Sequence, residues 1–176
     1  MSSKGDKTFQ SRNHMVRMET YHYITEQFLS VDIHKAWDFF SSAKNLSLIT
    51  PPEMKFHIIT ELEVKGIYEG MRIDYVVRPL FHIPLNWQTE ICKVNEPWSF
   101  TDKQLKGPFR LWEHSHSFIE IDHGVLMKDH VTYQMPYGVV GIILHKGMVR
   151  KKIEDIFTYR KTILKTILEN NGNDSN

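Results

Sequence analysis

Residues 111–135 read LWEHSHSFIEIDHGVLMKDHVTYQM, and this stretch predicts a long β-hairpin. Side chains alternate in character on both sides of Asp122-His123-Gly124, which is the pattern of two antiparallel β-strands joined by a tight turn. Successive side chains of a strand point to opposite faces, and we expect the more apolar face of each strand to point inward. The inward sets are Trp112, His114, His116, Phe118 and Glu120 on the first strand and Val125, Met127, Asp129, Val131, Tyr133 and Met135 on the second.

The turn of this hairpin predicts which residues face each other. A two-residue loop at His123-Gly124 makes Asp129 a diagonal neighbour of His116 and places Tyr133 opposite His114, within side-chain reach in both cases. On the other side of the first strand, a loop at Lys106–Pro108 joins it to the preceding strand. This loop brings Asp102 close to the same histidines, although the sequence does not fix its length. The predicted opposed pairs are Phe118 with Asp129, His116 with Val131, and His114 with Tyr133.

The segments before this hairpin indicate a first strand, two short helices and further strands. Residues 21–30 are rich in aromatic and β-branched side chains. Asp32 is typical of a helix N-cap, apolar residues recur at helical spacing over 33–41, and a second short turn is predicted over 45–49 before Pro51. The predicted strands lie near residues 21–30, 55–63, 69–78, 85–94, 98–105, 109–121 and 125–135.

A long amphipathic helix is predicted after Pro136. Its basic face has no interleaved aromatic side chains for base stacking, so it indicates a solvated surface and no nucleic-acid partner. An antiparallel sheet that covers one face with a single long helix must curl around it, which leaves a natural cavity between them. The apolar stripe is Val149, Ile153, Ile156, Phe157, Ile163, Leu164, Ile167 and Leu168, and the basic face is Lys151, Lys152, Lys161 and Lys165.

Composition excludes several classes of protein. The formal net charge is +1 with 41% hydrophobic residues, so nothing indicates general attraction to nucleic acid or acidic membranes. The most apolar run, VVGIIL at 139–144, is far shorter than the roughly 20 residues that cross a bilayer. The single cysteine, Cys92, excludes an internal disulfide framework and fits a reducing compartment. We expect a cytoplasmic protein with one domain over 19–169 between flexible tails at 1–18 and 170–176.

A set of short motifs, taken in order, resembles the START-like (SRPBCC) superfamily, and within it a bacterial branch described as ligand-binding or polyketide cyclase/dehydrase-like. The motifs are Trp37, LITP at 48–51, PWSFTDKQ at 97–104, GPF at 107–109, WEHSHSF at 112–118 and PYG at 136–138. The resemblance implies an α+β helix-grip fold: a curved seven-stranded antiparallel sheet wrapped around a long C-terminal helix, with two short helices after the first strand. It also implies an internal cavity for a hydrophobic small molecule, such as a lipid, polyketide or aromatic compound.

The residues favour a binding protein over an enzyme, with an apolar ligand held in that cavity. The alternative is a cyclase, dehydratase or hydrolase in which His116, oriented by Asp129, is the general base and Tyr133 the acid. The resemblance supplies no catalytic signature that decides between them. The predicted ligand-binding residues are Trp87, Phe100, Asp102, Trp112, His114, His116, Phe118, Asp129, Val131, Tyr133 and Met135.

A metal site is a third hypothesis. His114 and His116 on one strand can present two imidazoles to one point, with Asp129 or Asp102 as a third ligand. The spacing to Glu120 matches the beginning of a cupin motif, but the remaining cupin positions do not. We therefore predict no metal and no cofactor, and the oligomeric state stays open.

Overall fold

The computed structural model describes residues 19–62, 66–79, 81–136 and 145–170. Its centre is a curved antiparallel sheet of seven strands in the order β1-β7-β6-β5-β4-β3-β2. The predicted tail at 1–18, all but Asn170 of the predicted tail at 170–176, and the apolar run at 139–144 lie outside the described residues. The strands are β1 (Thr20–Leu29), β2 (His57–Ile58), β3 (Arg72–Val77), β4 (Leu85–Asn95), β5 (Ser99–Lys106), β6 (Leu111–Ile121) and β7 (Gly124–Gln134).

The helical elements are placed as the sequence predicts. Helix α1 spans Ile33–Phe40, and Asp32 caps it by accepting a 2.9 Å hydrogen bond from the backbone N–H of Lys35. Short 3₁₀ turns follow at Ala43–Ser47 and Pro52–Met54, and the long helix α2 spans Arg150–Asn170 after one π-helical turn. The sheet, the short helices after β1 and the long last helix confirm the predicted architecture. None of the helices in the described ranges is long and apolar enough to cross a membrane.

The strand predicted over 55–63 is wrong in length. Only His57–Ile58 pairs with β3. Lys55 has a left-handed backbone with φ of 45°, which delays the start of the strand. Beyond Ile58, the N–H groups of Ile59 and Thr60 both donate to the carbonyl oxygen of Asp74, at 2.8 and 3.3 Å. Two donors on one acceptor replace the regular ladder, so the strand ends there.

The predicted register of the β6–β7 hairpin is also wrong, by two residues. The turn is Asp122-His123, and Ile121 lies opposite Gly124. His123 supplies the left-handed conformation with φ of 67°. Gly124 already belongs to β7, where a Cβ atom would collide with the carbonyl oxygen of Leu29 on β1. The glycine is therefore required by the close approach of a neighbouring strand, whereas the sequence had indicated a turn position.

A register shift of two residues changes which residues lie opposite each other across the two strands. It does not change the face of the sheet to which each side chain points, because side chains alternate with a period of two. The predicted inward set of β7 is buried from Val125 to Tyr133, and so are three members of the β6 set, while Glu120 is exposed. The observed opposed pairs are Phe118 with Met127, His116 with Asp129, His114 with Val131, and Trp112 with Tyr133. The histidines thus face the interior as predicted, with different neighbours.

Candidate functional site

A cavity of about 420 Å³ lies between the inner face of the sheet and α2. Small-molecule sites in proteins have volumes of about 300–1,000 Å³, so this cavity has the size of a binding site. Its wall is mostly apolar, and β3 to β6, the β5–β6 loop and α2 contribute aromatic rings to it. These include Tyr75, Trp87, Phe100, Phe109, Trp112 and Phe157.

A compact polar group interrupts this apolar wall. Strand pairing places Asp102 opposite His114, and His116 opposite Asp129, so three neighbouring strands bring two carboxylates to two imidazoles. His114 Nε2 donates to Asp129 Oδ1 at 2.8 Å, and His116 Nε2 lies 3.3 Å from Asp102 Oδ2. His116 Nδ1 is 3.0 Å from the same Asp129 oxygen, within ion-pair distance but without hydrogen-bond alignment. Asp129 therefore contacts both histidines.

The two imidazoles are held in place by aromatic packing as well as by the carboxylates. Their ring centroids are 3.8 Å apart. Phe100 stacks on His116 with 4.1 Å between centroids, and Phe157 of α2 meets His114 edge-on at 5.6 Å. Each histidine is only 6% exposed. Both rings consequently have little freedom to rotate.

The electrostatics of the pair differ between its two members. Burial lowers the pKa of His114, and the neighbouring His116 lowers it further, which outweighs the hydrogen bond to Asp129. Burial acts in the same direction on His116, but its contacts with Asp102 and Asp129 prevail and raise its pKa. These opposite directions predict that His116 is protonated before His114 as the pH falls. Burial alone would raise the pKa of Asp129, but the two histidines hold it well below its usual range.

Arg160 on α2 is a functional candidate that the sequence analysis missed. It lines the cavity, it is 7% exposed, and burial lowers its pKa although Asp129 and Asp102 act in the opposite direction. Position 160 falls in the middle of the predicted apolar stripe, three or four residues from Phe157 and Leu164. An arginine at a core-facing helical position is the signal that could have found it, because long basic side chains almost always reach solvent.

The structure brings most of the predicted site residues to the cavity. Those that line it are Trp87, Phe100, Asp102, Trp112, His114, His116 and Met135. Phe118 instead packs between Trp37 and Phe40, with ring centroids 6.2 and 5.3 Å away. Val131 and Tyr133 belong to the core under α2, and Asp129 lies against the imidazoles without lining the cavity. Tyr75, Thr89 and Ile156 line the cavity and were not predicted.

The metal hypothesis gains a possible ligand set but little support. Ligand atoms of Asp102, His114 and His116 lie within 4.8 Å of one another. A zinc site would need imidazole nitrogens free to approach the ion to about 2.0–2.1 Å. Here the Nε2 atoms of both histidines contact carboxylates, and the cation of Arg160 shares the same wall. The residues present do not fit a metal ion well.

Comparison with known proteins identifies the architecture. No family model and no curated protein sequence matches the chain. Among solved structures, norcoclaurine synthase from Thalictrum flavum superposes with a TM-score of 0.64 at 11% identity, covering 88% of this chain and 98% of that one. The chain has the helix-grip fold.

Two further structures with this fold support the assignment. Major latex-like protein 151 from Panax ginseng has a TM-score of 0.59 at 12% identity, covering 85% of this chain and 97% of that one. The di-domain ARO/CYC StfQ from the steffimycin biosynthetic pathway has a TM-score of 0.65 at 11% identity, covering 87% of this chain and 52% of that one. The predicted START-like resemblance is thereby confirmed at the level of the fold.

Proposed function

We propose that this helix-grip protein binds a hydrophobic small molecule in the cavity between its sheet and α2. The observation that carries the proposal is the cavity of about 420 Å³ with an aromatic wall. Burying apolar surface of a ligand against such a wall is favourable by about 25 cal/mol per Å² before the costs of association. A few convergent polar groups, here the Asp102, His114, His116 and Arg160 side chains, would orient the ligand.

Buried donors without partners give further support. Trp87 Nε1 and Arg160 Nε are both buried and lack a hydrogen-bond partner among the described residues. A buried polar group without a partner is unfavourable, and most such groups in native proteins are paired. Both residues line the cavity. An acceptor group of a bound molecule would supply the missing partners.

Acid–base catalysis is the second candidate function, and the opposite pKa directions of the two histidines favour it. Neighbouring titratable groups whose pKa values are driven apart are typical of sites that use one as acid and the other as base. His116, which takes the proton first, would be the acid, and His114 would be the base. This reverses the role expected for His116 from the sequence, and Tyr133 does not line the cavity.

Native mass spectrometry of freshly purified protein, followed by solvent extraction and metal analysis, tests the binding proposal. We expect a mass increment that extraction removes and that an apolar compound accounts for. Stoichiometric zinc, iron or nickel would instead support the metal hypothesis. If the measured mass is that of the protein alone, binding is tested next with added ligands.

A matched pair of variants locates the binding site. Ile156→Trp places a larger side chain in the cavity and reduces its volume. Ile24→Trp makes the same substitution at a residue of β1 that is 59% exposed. With 2-naphthalenemethanol as the probe, we expect the Ile156 variant to lose at least about tenfold in affinity and the Ile24 variant to bind like the wild type. Equal affinities for both variants would contradict binding in this cavity. If turnover of any compound is found, His114→Gln and His116→Gln should abolish it, and they should weaken binding less than Ile156→Trp does, because the apolar wall is unchanged.

A further inference from the structure

Arg160 occupies a buried position on α2. It lies on the face of α2 that packs on the sheet, between Phe157 and Leu164, which are 4% and 0% exposed. The guanidinium carbon is 4.8 Å from the centroid of the Phe157 ring. Arginine side chains near a surface extend their charged end into water, but here the side chain is 7% exposed and contributes to the cavity wall. The positive charge is thus held inside the protein.

Apart from its contact with the Phe157 ring, the guanidinium forms no hydrogen bond or ion pair within the described part of the chain. Its Nε atom is buried and unpaired, and no carboxylate of the described residues lies within ion-pair distance. Asp102 and Asp129 act on it through space, but their oxygens already contact His114 and His116. A buried charge is strongly unfavourable unless it is paired and its donors are satisfied. The donors of Arg160 are therefore available to a molecule in the cavity.

The chemistry of the wall restricts what that molecule carries. An ammonium group would be repelled by Arg160, whose guanidinium is charged, while the Asp102 carboxylate on the same wall already contacts His116. A hydroxyl group would satisfy one donor of the guanidinium. A planar carboxylate accepts two parallel N–H bonds from the guanidinium fork, which is the strongest common pairing for a buried arginine.

We infer that Arg160 is the head-group site of the cavity and selects ligands that carry a carboxylate on an apolar body. This inference rests on the proposed function, and it adds the chemical class of the ligand. The aromatic wall contacts the body, while Arg160 holds the charged end inside the protein. Arg160 then serves as a specificity-determining residue, whether the protein carries the ligand or transforms it.

Two pairs of probes with equal bodies and different head groups test the inference: 2-naphthoate against 2-naphthalenemethanol, and decanoate against 1-decanol. Affinities are measured by titration calorimetry at neutral pH, where both acids are ionised. We expect the wild-type protein to bind each carboxylate at least about tenfold more tightly than its alcohol. In Arg160→Met, which keeps an unbranched apolar stem and removes the donors, we expect this preference to disappear while alcohol affinity changes less than about threefold.

Two further variants separate charge from geometry. Arg160→Lys keeps the charge and loses the fork, so we expect an intermediate preference for the carboxylates. Trp87→Phe removes the other unpaired donor of the wall but keeps the guanidinium fork, so we expect it to reduce the carboxylate preference less than Arg160→Met does. Circular dichroism and thermal unfolding check that each variant is folded.

Each outcome decides the inference. If the wild-type protein binds acids and alcohols equally, or if Arg160→Met retains the preference, the head-group role is wrong while binding in the cavity stands. If none of the four probes binds and no compound co-purifies, both the proposed function and the head-group role fall. The wild-type ratio of acid to alcohol affinity is decisive even if the Met variant does not fold.

Discussion

His114 and Asp129 form a 2.8 Å hydrogen bond between Nε2 and Oδ1, in a place where the two residues are 6% and 5% exposed. The carboxylate can only accept, so the bond fixes the proton of His114 on Nε2 and leaves Nδ1 as the unprotonated nitrogen of a neutral ring. Val131, which lies directly opposite His114, has no polar group to offer. Asp129, two residues from Val131 on β7, therefore determines the tautomer of His114.

Replacing Asp129 should destabilise the protein strongly. Asp129→Asn removes the charge from beneath two imidazoles and leaves buried polar groups poorly matched, for which we expect a loss of about 2–4 kcal/mol in the free energy of unfolding. Urea unfolding measures it. The matched control is Asp155→Asn, because Asp155 forms only an exposed ion pair with Lys151 on α2 and should have little effect. Equal stability of both variants would show that the buried cluster contributes nothing to folding.

The same carboxylate predicts sensitivity to acid. The pKa of Asp129 is lower in the folded protein than its unfolded value of about 3.9. Its stabilising contribution is therefore present above that pH and is lost as the pH falls towards the folded pKa, because the unfolded chain binds the proton first. Urea unfolding at a series of pH values should show a steep loss below about pH 4. This loss should be shallower in Asp129→Asn.

The face of each strand could be predicted from the sequence, and the partner of each residue could not. Alternation along β6 and β7 survives a register shift of two residues, so the histidines point inward in either register. The exact register depends on Gly124, whose requirement comes from the backbone of Leu29, nearly a hundred residues away along the chain. Contacts of this kind leave no local signal.

The candidate site was predicted in part for a related reason. Whether an inward-facing residue lines the cavity or packs in the core depends on the distance between α2 and the sheet at that point. Phe118 and Val131 point inward as predicted, but both pack in the core. Arg160, in contrast, left a clear local signal, since it interrupts an otherwise apolar helical stripe between Phe157 and Leu164. Counting charged residues on the buried face of a helix would have identified it.

The two buried histidines should titrate in separate steps. The pKa of His116 is raised and that of His114 is lowered, so the first proton should appear on His116 as the pH falls. Histidine ¹⁵N chemical shifts measured against pH follow each ring directly. Asp102→Asn removes the negative charge beside His116 Nε2 and should therefore lower the pKa of His116. An unchanged titration in this variant would contradict the role of Asp102.

Gly124 should be intolerant of any side chain. Gly124→Ala places a Cβ atom against the carbonyl oxygen of Leu29, so β1 must move away from β7, and we expect a loss of about 1–3 kcal/mol in the free energy of unfolding. The matched control is Gly147→Ala in the π-helical turn before α2, where a Cβ atom would meet no neighbouring atom within 4 Å. That variant should be neutral or slightly more stable, because alanine favours helix. Urea unfolding compares the two, and equal effects would contradict the close approach of β1 to Gly124.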